Sequence, residues 1–301
     1  MVKRVVAVWA FAGVLAAAGF ASAAETLWTE DAKAAMAKAA AEGKDLLIDF
    51  TGSDWCGWCK KLDAEVFSQR EFTSRVSKSF VLLKLDFPRS VPQSQELKKQ
   101  NAELLKKYRV EGFPTIVLAD ARGRPYAKTG YRPGGAERYM AHLAELRRIR
   151  VGRDAALAKA KGAKGLERAK LLDAALAKID SSLIIGHYDE VVAEIVKLDS
   201  ENKAGLRNKY GAMTALTKIR AAAQRRDFDG GIALADEALK SYGETGAPAQ
   251  EILFFKSLCF YAKGEKPKAK AALEAALKAA PEGPKAERIK LILERVFKDA
   301  K

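Results

Sequence analysis

Two cysteines three residues apart follow an apolar, strand-like segment, and this arrangement constrains the fold more than any other part of the sequence. The apolar segment covers residues 46–50, and the polar residues 51–53 separate it from Cys56-Gly57-Trp58-Cys59. A Cys-x-x-Cys pair at the point where a strand leads into a helix is typical of a dithiol redox site within a β-α-β unit. The pattern therefore predicts an α/β fold and thiol–disulfide exchange.

The spacing of the two cysteines gives them different predicted roles. In the first turn of a helix, residues i and i+3 lie on one face, so the two sulfurs can approach within bonding distance. Cys56 would stand at the helix N-terminus, where unpaired N–H groups and the helix dipole stabilise an anion. We therefore predict that Cys56 is the attacking thiolate and Cys59 the resolving thiol. Lys60 adds a nearby positive charge, and Trp55 and Trp58 supply apolar surface for gripping a substrate chain.

Two other interpretations of the cysteine pair are half of a zinc site and a structural disulfide. A zinc site needs two further ligands, and the remaining candidates, Cys259, His142 and His187, are widely separated in the sequence. A small secreted protein held together by disulfides would carry more than three cysteines in a shorter chain. The sequence favours a redox pair, with no metal and no cofactor beyond the Cys56–Cys59 disulfide. Cys259 lies in an apolar helical segment and is expected to be a buried free thiol.

Hydrophobic periodicity predicts alternating helices and strands up to residue 150. The predicted order is α-β-α-β-α-β-β-α, with helices at 30–42, 56–67, 93–108 and 134–150 and strands at 45–50, 79–86, 115–119 and 125–130. Such an order indicates an α/β domain. From residue 151 onwards the pattern is helical throughout, and we place a boundary between a domain at 25–150 and an all-α domain at 151–301.

The helical part of the sequence contains a weak internal repeat. Ala238-Leu239-Lys240 recurs as Ala276-Leu277-Lys278, 38 residues later, and glycine-containing breaks precede both segments. About seven helices are predicted between the breaks. Pairs of helices at such a period resemble tetratricopeptide repeats, and an irregular helical bundle is the alternative.

The first 24 residues have the pattern of a secretory signal peptide. Lys3 and Arg4 precede an apolar stretch at 5–20, and Ala21-Ser22-Ala23 forms a small-x-small cleavage site. The apolar stretch is shorter than the roughly 20 residues of a spanning helix, which disfavours an uncleaved membrane anchor. The sequence predicts a periplasmic or secreted protein without stable membrane insertion after cleavage.

Composition limits the classes of partner. Apolar residues make up 49% of the 301-residue chain, enough for a substantial core, and the net charge is +15. The positive excess is divided almost equally between the two halves of the chain, whereas nucleic-acid binders more often concentrate it on one face or tail. We therefore expect no specific nucleic-acid partner.

Residues 44–146 resemble a thioredoxin-fold domain, with a mixed central sheet flanked by helices, and in particular the exported thioredoxin-like proteins. The active-site motif of that family is Trp-Cys-Gly-x-Cys-Lys, and Trp58 occupies its variable position. A second motif is Gly112-Phe113-Pro114-Thr115. The resemblance implies that Pro114 is cis and faces the dithiol, and that the backbone of Phe113 pairs with substrate. Trp55, Gly57 and Trp58 would complete the substrate-binding surface.

The resemblance also implies a proton-transfer group. Asp49 matches the buried carboxylate behind the second cysteine, where it would assist proton transfer to Cys59, and Lys84 matches the lysine that pairs with it. Gly130 matches the glycine of the last strand. Asp49 precedes Cys56 by seven residues rather than the six that are commonest in the family, so the loop at 51–54 must hold one additional residue.

These features support two functional hypotheses. The first is an exported thiol–disulfide oxidoreductase that reduces or exchanges disulfides in protein substrates and receives electrons from a membrane disulfide reductase. The second is a protein-binding scaffold, in which the helical domain binds a client and the thioredoxin-like domain positions or traps it.

Overall fold

The structure is a computed structural model that describes residues 27–297. The predicted signal peptide at 1–24 lies outside the described residues. Within residues 27–297, no helix combines the length and the apolar character that a bilayer-spanning segment requires.

A five-stranded mixed sheet forms the centre of the N-terminal part. Its strands are β1 (Trp28–Thr29), β2 (Asp45–Thr51), β3 (Phe80–Asp86), β4 (Thr115–Ala119) and β5 (Pro125–Thr129). Their spatial order is β1-β3-β2-β4-β5. β3 runs parallel to β1 and β2, whereas β4 is antiparallel to both β2 and β5. Every residue of the central strand β2 is buried, which explains its continuous apolar character.

Five helices cover the two faces of this sheet. They are α1 (Ala32–Glu42), α2 (Gly57–Leu62), α3 (Arg70–Val76), α4 (Gln95–Lys107) and α5 (Gly135–Gly162), and a π-helical turn at Asp63–Phe67 extends α2. The side chains of Asp31 and Ser94 cap α1 and α4 by accepting backbone N–H groups. Together with the sheet these helices form the predicted thioredoxin-like fold.

The alternation of side chains along β2 divides the core into two layers. Leu47 packs with Leu62 and Val66, on the face that α2, α3 and α5 cover. Leu46 and Ile48 pack on the opposite face, beneath α1 and the end of α4. Because side chains alternate with a period of two, Asp49 lies on the same face as Leu47, the face covered by α2. This register positions the candidate site.

The remaining helices form the predicted all-α part. They are α6 (Gly165–Leu176), α7 (Asp189–Leu198), α8 (Leu206–Gln224), α9 (Phe228–Tyr242), α10 (Gly246–Ala262), α11 (Lys266–Ala279) and α12 (Ala286–Val296). α8 pairs with α9 and α10 with α11, and α10 packs on both helices of the preceding pair. Ala238 and Ala276, which are 38 residues apart, are buried in the same apolar cluster. The 38-residue period therefore corresponds to the step from the second helix of one hairpin, α9, to the second helix of the next, α11.

The structure differs from the predicted elements in three places. Strand β1 and helix α3 were not predicted. The closing helix was predicted to end at residue 150, but α5 continues through Val151-Gly152 to Gly162. A glycine inside a helix costs only about 1 kcal/mol relative to alanine, which tertiary contacts readily offset. Here the buried Arg153, just beyond the glycine, makes such contacts with Asp120 and Tyr188.

Candidate active site

Cys56 and Cys59 form a disulfide at the start of α2. Cys56 is the N-cap residue of this helix, and its sulfur accepts a hydrogen bond of 3.2 Å from the backbone N–H of Cys59. Both cysteines are largely buried. The helix N-terminus therefore directs a backbone N–H at the Cys56 sulfur, an environment that favours its thiolate when the disulfide is reduced.

The loop before the cysteines is held by its own hydrogen bonds. The backbone N–H groups of Trp55 and Cys56 donate to the Gly52 carbonyl at 3.3 and 2.8 Å. The Ser53 N–H donates to the Asp86 carboxylate at 2.9 Å. This loop contains the additional residue noted in the sequence. Despite that residue, Asp49 still lies behind α2, as the resemblance implies.

A second group of bonds joins this loop to the segment after β3. The Asp54 carboxylate accepts the N–H groups of Arg89 and Ser90 at 2.9 and 2.6 Å. These bonds hold the pKa of Asp54 below its usual value, with the Ser90 bond as the largest cause. The Lys60 ammonium donates to the Asp54 carbonyl at 2.8 Å, so Lys60 stabilises this loop.

Trp55 packs across this loop. Its indole N–H donates to the Phe87 carbonyl at 2.8 Å, and the Arg89 guanidinium lies 4.1 Å from the ring centroid. A Cβ atom at position 52 would lie 2.5 Å from the indole ring, so this close packing requires Gly52. The ring edge meets Phe113 with the centroids 5.8 Å apart, and this contact brings the second motif beside the cysteine motif.

Trp58 is the more exposed of the two motif tryptophans. It is 58% exposed and lies 5.1 Å from the Tyr131 ring, measured between centroids. The Lys61 ammonium approaches both rings, and the Tyr131 hydroxyl donates to the Glu65 carboxylate at 2.7 Å. The residues beside the disulfide thus include an ordered but accessible aromatic surface.

The second motif has the backbone geometry that the resemblance predicts. The Phe113–Pro114 peptide bond is cis, as expected. A Cβ atom at Gly130 would lie 3.1 Å from the Pro114 carbonyl oxygen, so the glycine after β5 permits the close approach of this bend.

Asp49 and Cys59 line the same cavity. The cavity has a volume of about 150 Å³ and is lined by Asp49, Cys59, Asp63 and Lys84, among others. Asp49 is 5% exposed, and its Oδ1 has no hydrogen-bond partner among the described residues. Burial raises the pKa of Asp49 to about 7, and the positive charge of Lys84 opposes this rise. Lys84 is the direct neighbour of Asp49 in the β2–β3 register.

This arrangement can move a proton at neutral pH. A carboxyl group with a pKa near 7 is present in both protonation states, as a general acid–base group requires. The cavity is large enough for several water molecules, which can connect Asp49 to the Cys59 sulfur.

Several residues of the site were missed by sequence reasoning. They are Ser53, Asp54, Asp63, Asp86 and Tyr131. Asp63 alone carried a signal, because it follows Cys59 by four residues and such residues share a helix face. Ser53 and Asp54 lie next to the cysteines in the sequence, but their bonds to residues 86–90 leave no pattern in it. Asp86 and Tyr131 are brought to the site by tertiary contacts.

The remaining histidines and the third cysteine lie elsewhere. His142 forms a hydrogen bond of 3.0 Å with the Thr129 hydroxyl. The His187 ring stacks on Tyr108, and burial there lowers the pKa of His187 to about 4. Cys259 is a buried free thiol, as predicted, and burial raises its pKa. Among residues 27–297 no group of three or more His, Cys, Asp or Glu side chains is arranged to hold a metal ion.

Comparison with known proteins identifies relatives of the N-terminal part. Residues 32–146 match the sequence profile of a thioredoxin-like domain. The disulfide bond reductase DsbH of Chlamydia pneumoniae is 33% identical over 128 residues, which cover 42% of this chain and 77% of that protein. The thiol:disulfide interchange protein DsbD of Vibrio cholerae is 37% identical over 93 residues, covering 31% of this chain and 14% of DsbD. A solved structure of a DsbH oxidoreductase shares 32% identity and covers 39% of this chain and 81% of its own, with a TM-score of 0.38.

Proposed function

Because the chain belongs to the thioredoxin-like family and is a thiol–disulfide oxidoreductase, we propose that it reduces disulfides in exported protein substrates through Cys56 and Cys59. The observation that carries this proposal is the position of the Cys56 sulfur as the N-cap of α2, within bonding distance of Cys59. A thiolate at that position is a nucleophile, and its neighbour can release any mixed disulfide that it forms.

The proposed reaction transfers two electrons from the protein dithiol to the substrate. The Cys56 thiolate attacks one sulfur of a substrate disulfide, and the other substrate sulfur leaves as a thiolate that takes up a proton. Cys59 gives its proton to the Asp49 carboxylate and attacks the Cys56 sulfur. The bond between Cys56 and the substrate then breaks, and the released substrate thiolate takes up a proton. The products are the Cys56–Cys59 disulfide and a substrate with two thiols.

The surrounding residues have proposed roles in this reaction. Lys84 sustains the ionised fraction of Asp49, because its positive charge opposes the effect of burial on that pKa. The exposed ring of Trp58 and the ring of Trp55 contact the substrate chain beside the attacked sulfur. Gly57 leaves space over the disulfide, since nothing lies within 4 Å of a Cβ placed there. The bend at Phe113-Pro114 offers backbone groups to the same chain.

The proposed direction and location rest on further observations. A relative of which this chain covers 77% is named a disulfide bond reductase, which supports reduction. The predicted signal peptide supports a periplasmic or secreted location. In that location the oxidised site requires a dithiol donor to regenerate it, and we propose a membrane disulfide reductase for this role.

Insulin reduction with dithiothreitol as the electron source tests the activity. We expect the wild-type chain to accelerate the reaction, Cys56→Ser to abolish the acceleration, and Cys59→Ser to accumulate a mixed disulfide detectable by mass spectrometry. Cys259→Ala is the matched control and should retain activity, because Cys259 is a buried free thiol on α10 and not part of the site around the disulfide. Full activity of Cys56→Ser would disprove the proposal.

The reduction potential of the Cys56/Cys59 couple tests the direction. A value near that of thioredoxin, about −270 mV, supports a reductase. A value near that of a strong oxidant such as DsbA, about −120 mV, would contradict it.

A further inference from the structure

A groove connects the Phe113-Pro114 bend to the all-α part of the chain. Its volume is about 900 Å³. One wall consists of residues 109–115, between the end of α4 and the start of β4. The opposite wall is formed by α8, through Thr217, Arg220 and Gln224. The groove therefore lies between the thioredoxin-like part and the first of the two stacked hairpins.

One end of this groove reaches the candidate active site. Phe113 and Pro114 line the groove, and the Phe113 ring contacts Trp55, the residue before Cys56. A substrate chain that pairs with the backbone at this bend is directed along the groove as it leaves the disulfide. This step rests on the proposed function, because it assumes that the chain at the disulfide is a polypeptide.

Basic side chains dominate the ionisable lining of the groove. Lys106, Arg109, Lys128 and Arg220 line it, and Glu111 is the one acidic residue among its lining residues in the described part of the chain. A groove lined mainly by one sign of charge raises the local concentration of the opposite charge.

The positive charge of two of these residues is not cancelled by a carboxylate bonded to them. The Arg109 guanidinium donates to the carbonyl oxygens of Ser182 and Ile185 at 3.3 and 2.9 Å. The Lys128 ammonium donates to the Arg109 carbonyl at 3.1 Å. Carbonyl groups fix these side chains in place without neutralising them, and the Asp180 and Glu111 carboxylates act on the charge of Lys128 only from a distance, without a bond to it. The same bonds tie the end of α4 to the helical part and so hold the groove open at this point.

Arg220 lies on the opposite wall and, unlike Arg109 and Lys128, is bonded to a carboxylate. Its guanidinium forms an ion pair of 2.6 Å with Glu251 and lies 4.5 Å from the centroid of the Phe255 ring. Lys106 is exposed at the end of α4. Basic groups thus lie on both walls, with apolar residues such as Leu105, Val110 and Ala221 between them.

We propose that this groove binds an extended acidic segment of the substrate polypeptide, adjacent to the disulfide that Cys56 attacks. The charge of the lining selects Asp and Glu side chains, and the apolar residues accommodate the segment between them. The helical part thereby selects substrates for the dithiol rather than acting only as a separate scaffold.

Rates of disulfide exchange with matched peptides test this proposal. Three peptides share one disulfide and differ only in four flanking residues, which are Glu, Gln or Lys. The full chain is first reduced, and its oxidation by each peptide is followed by tryptophan fluorescence. We expect the acidic peptide to react about tenfold faster than the neutral one at low salt, and the basic peptide to react most slowly. The difference should shrink at 1 M salt, where the Debye length falls to about 3 Å. Equal rates for the three peptides would overturn the proposal.

Charge variants distinguish the groove from the overall positive charge of the chain. Lys106→Glu is compared with Lys99→Glu on the same helix, and Arg220→Gln with Lys218→Gln on α8. Members of each pair change the net charge equally, but only Lys106 and Arg220 line the groove. We expect Lys106→Glu and Arg220→Gln to lower the rate with the acidic peptide severalfold more than the rate with the neutral peptide. Equal losses within each pair would overturn the proposal. Lys106 is exposed, so its variant tests the groove even if Arg220→Gln fails to fold.

A binding measurement separates failure of the groove from failure of the proposed function. A fluorescent acidic peptide without cysteines is titrated with the oxidised full chain, and binding is measured by anisotropy. Binding that Lys106→Glu weakens and Lys99→Glu does not supports the groove, even if no peptide disulfide is reduced. The absence of binding to the wild-type chain would disprove the groove, even if insulin is reduced.

Discussion

Asp49 illustrates how the position of a single residue determines its chemistry. On the surface of a protein its carboxyl group would be ionised throughout the neutral range. The alternation of β2 instead directs it beneath α2, where burial raises its pKa to about 7. Lys84 is brought beside it by strand register and limits the rise. The site therefore contains a carboxyl group that shares a cavity with Cys59 and is about half-protonated at neutral pH. Its burial has a measurable cost in stability.

Asp49→Asn is expected to stabilise the protein at high pH but not at low pH. In the unfolded chain the carboxyl group ionises near pH 3.8, whereas in the folded chain it ionises near pH 7. Between these values the folded state retains a proton that the unfolded state has lost, so the free energy of unfolding falls as the pH rises, by about 4 kcal/mol in total. Urea unfolding of both oxidised proteins at pH 4 and pH 8 measures the difference. The same difference at both values would contradict the expectation. Asp49→Asn should also slow the release of the mixed disulfide.

At the scale of elements, strands with a continuous apolar run and helices with an apolar period could be predicted from the sequence. β4 has the predicted bounds, and β2 and α4 differ from prediction by one or two residues at their ends. β1 could not be predicted, because two residues carry no period and the strand exists through pairing with the distant β3. The cysteine pair was recognisable by spacing, and Pro114 through the family resemblance. The partners of the loop, such as Asp86, and the groove beside the site depend on tertiary contacts between segments far apart in the sequence.

Helix α5 supplies a prediction at this scale. Gly152 lies in the interior of the helix, and nothing lies within 4 Å of a Cβ placed on it. Gly152→Ala should therefore raise the free energy of unfolding by about 0.5–1 kcal/mol. Gly43→Ala is the opposite control, because Gly43 ends α1 with a φ of 64°, and alanine there should destabilise the protein. Thermal unfolding measures both. Destabilisation by Gly152→Ala would indicate that the chain breaks at this point instead of continuing as a helix.

At the scale of the whole molecule, a buried polar network joins the two parts of the chain. The Arg153 guanidinium on α5 pairs with Asp120 at 3.0 Å and donates to the Tyr188 hydroxyl at 2.7 Å. The Tyr188 hydroxyl donates in turn to the Pro125 carbonyl at 2.9 Å. The network thus links the β4–β5 turn, the long helix and the segment before α7. This connection matters for function because the groove has one wall in each part.

Arg153→Met is expected to uncouple the unfolding of the two parts. The substitution removes the guanidinium and leaves Asp120 and the Tyr188 hydroxyl buried with fewer partners, at a cost of about 3 kcal/mol or more. Trp28, Trp55 and Trp58 lie in the thioredoxin-like part and no tryptophan follows residue 58, so tryptophan fluorescence reports on the thioredoxin-like part, whereas far-ultraviolet circular dichroism reports mainly on the helices. In the wild-type chain both signals should change at one midpoint, because the network is shared. In Arg153→Met the midpoints should separate, whereas Arg148→Met, an exposed change on the same helix, should keep them together. Separate midpoints in the wild-type chain would contradict this coupling and would favour two independent units.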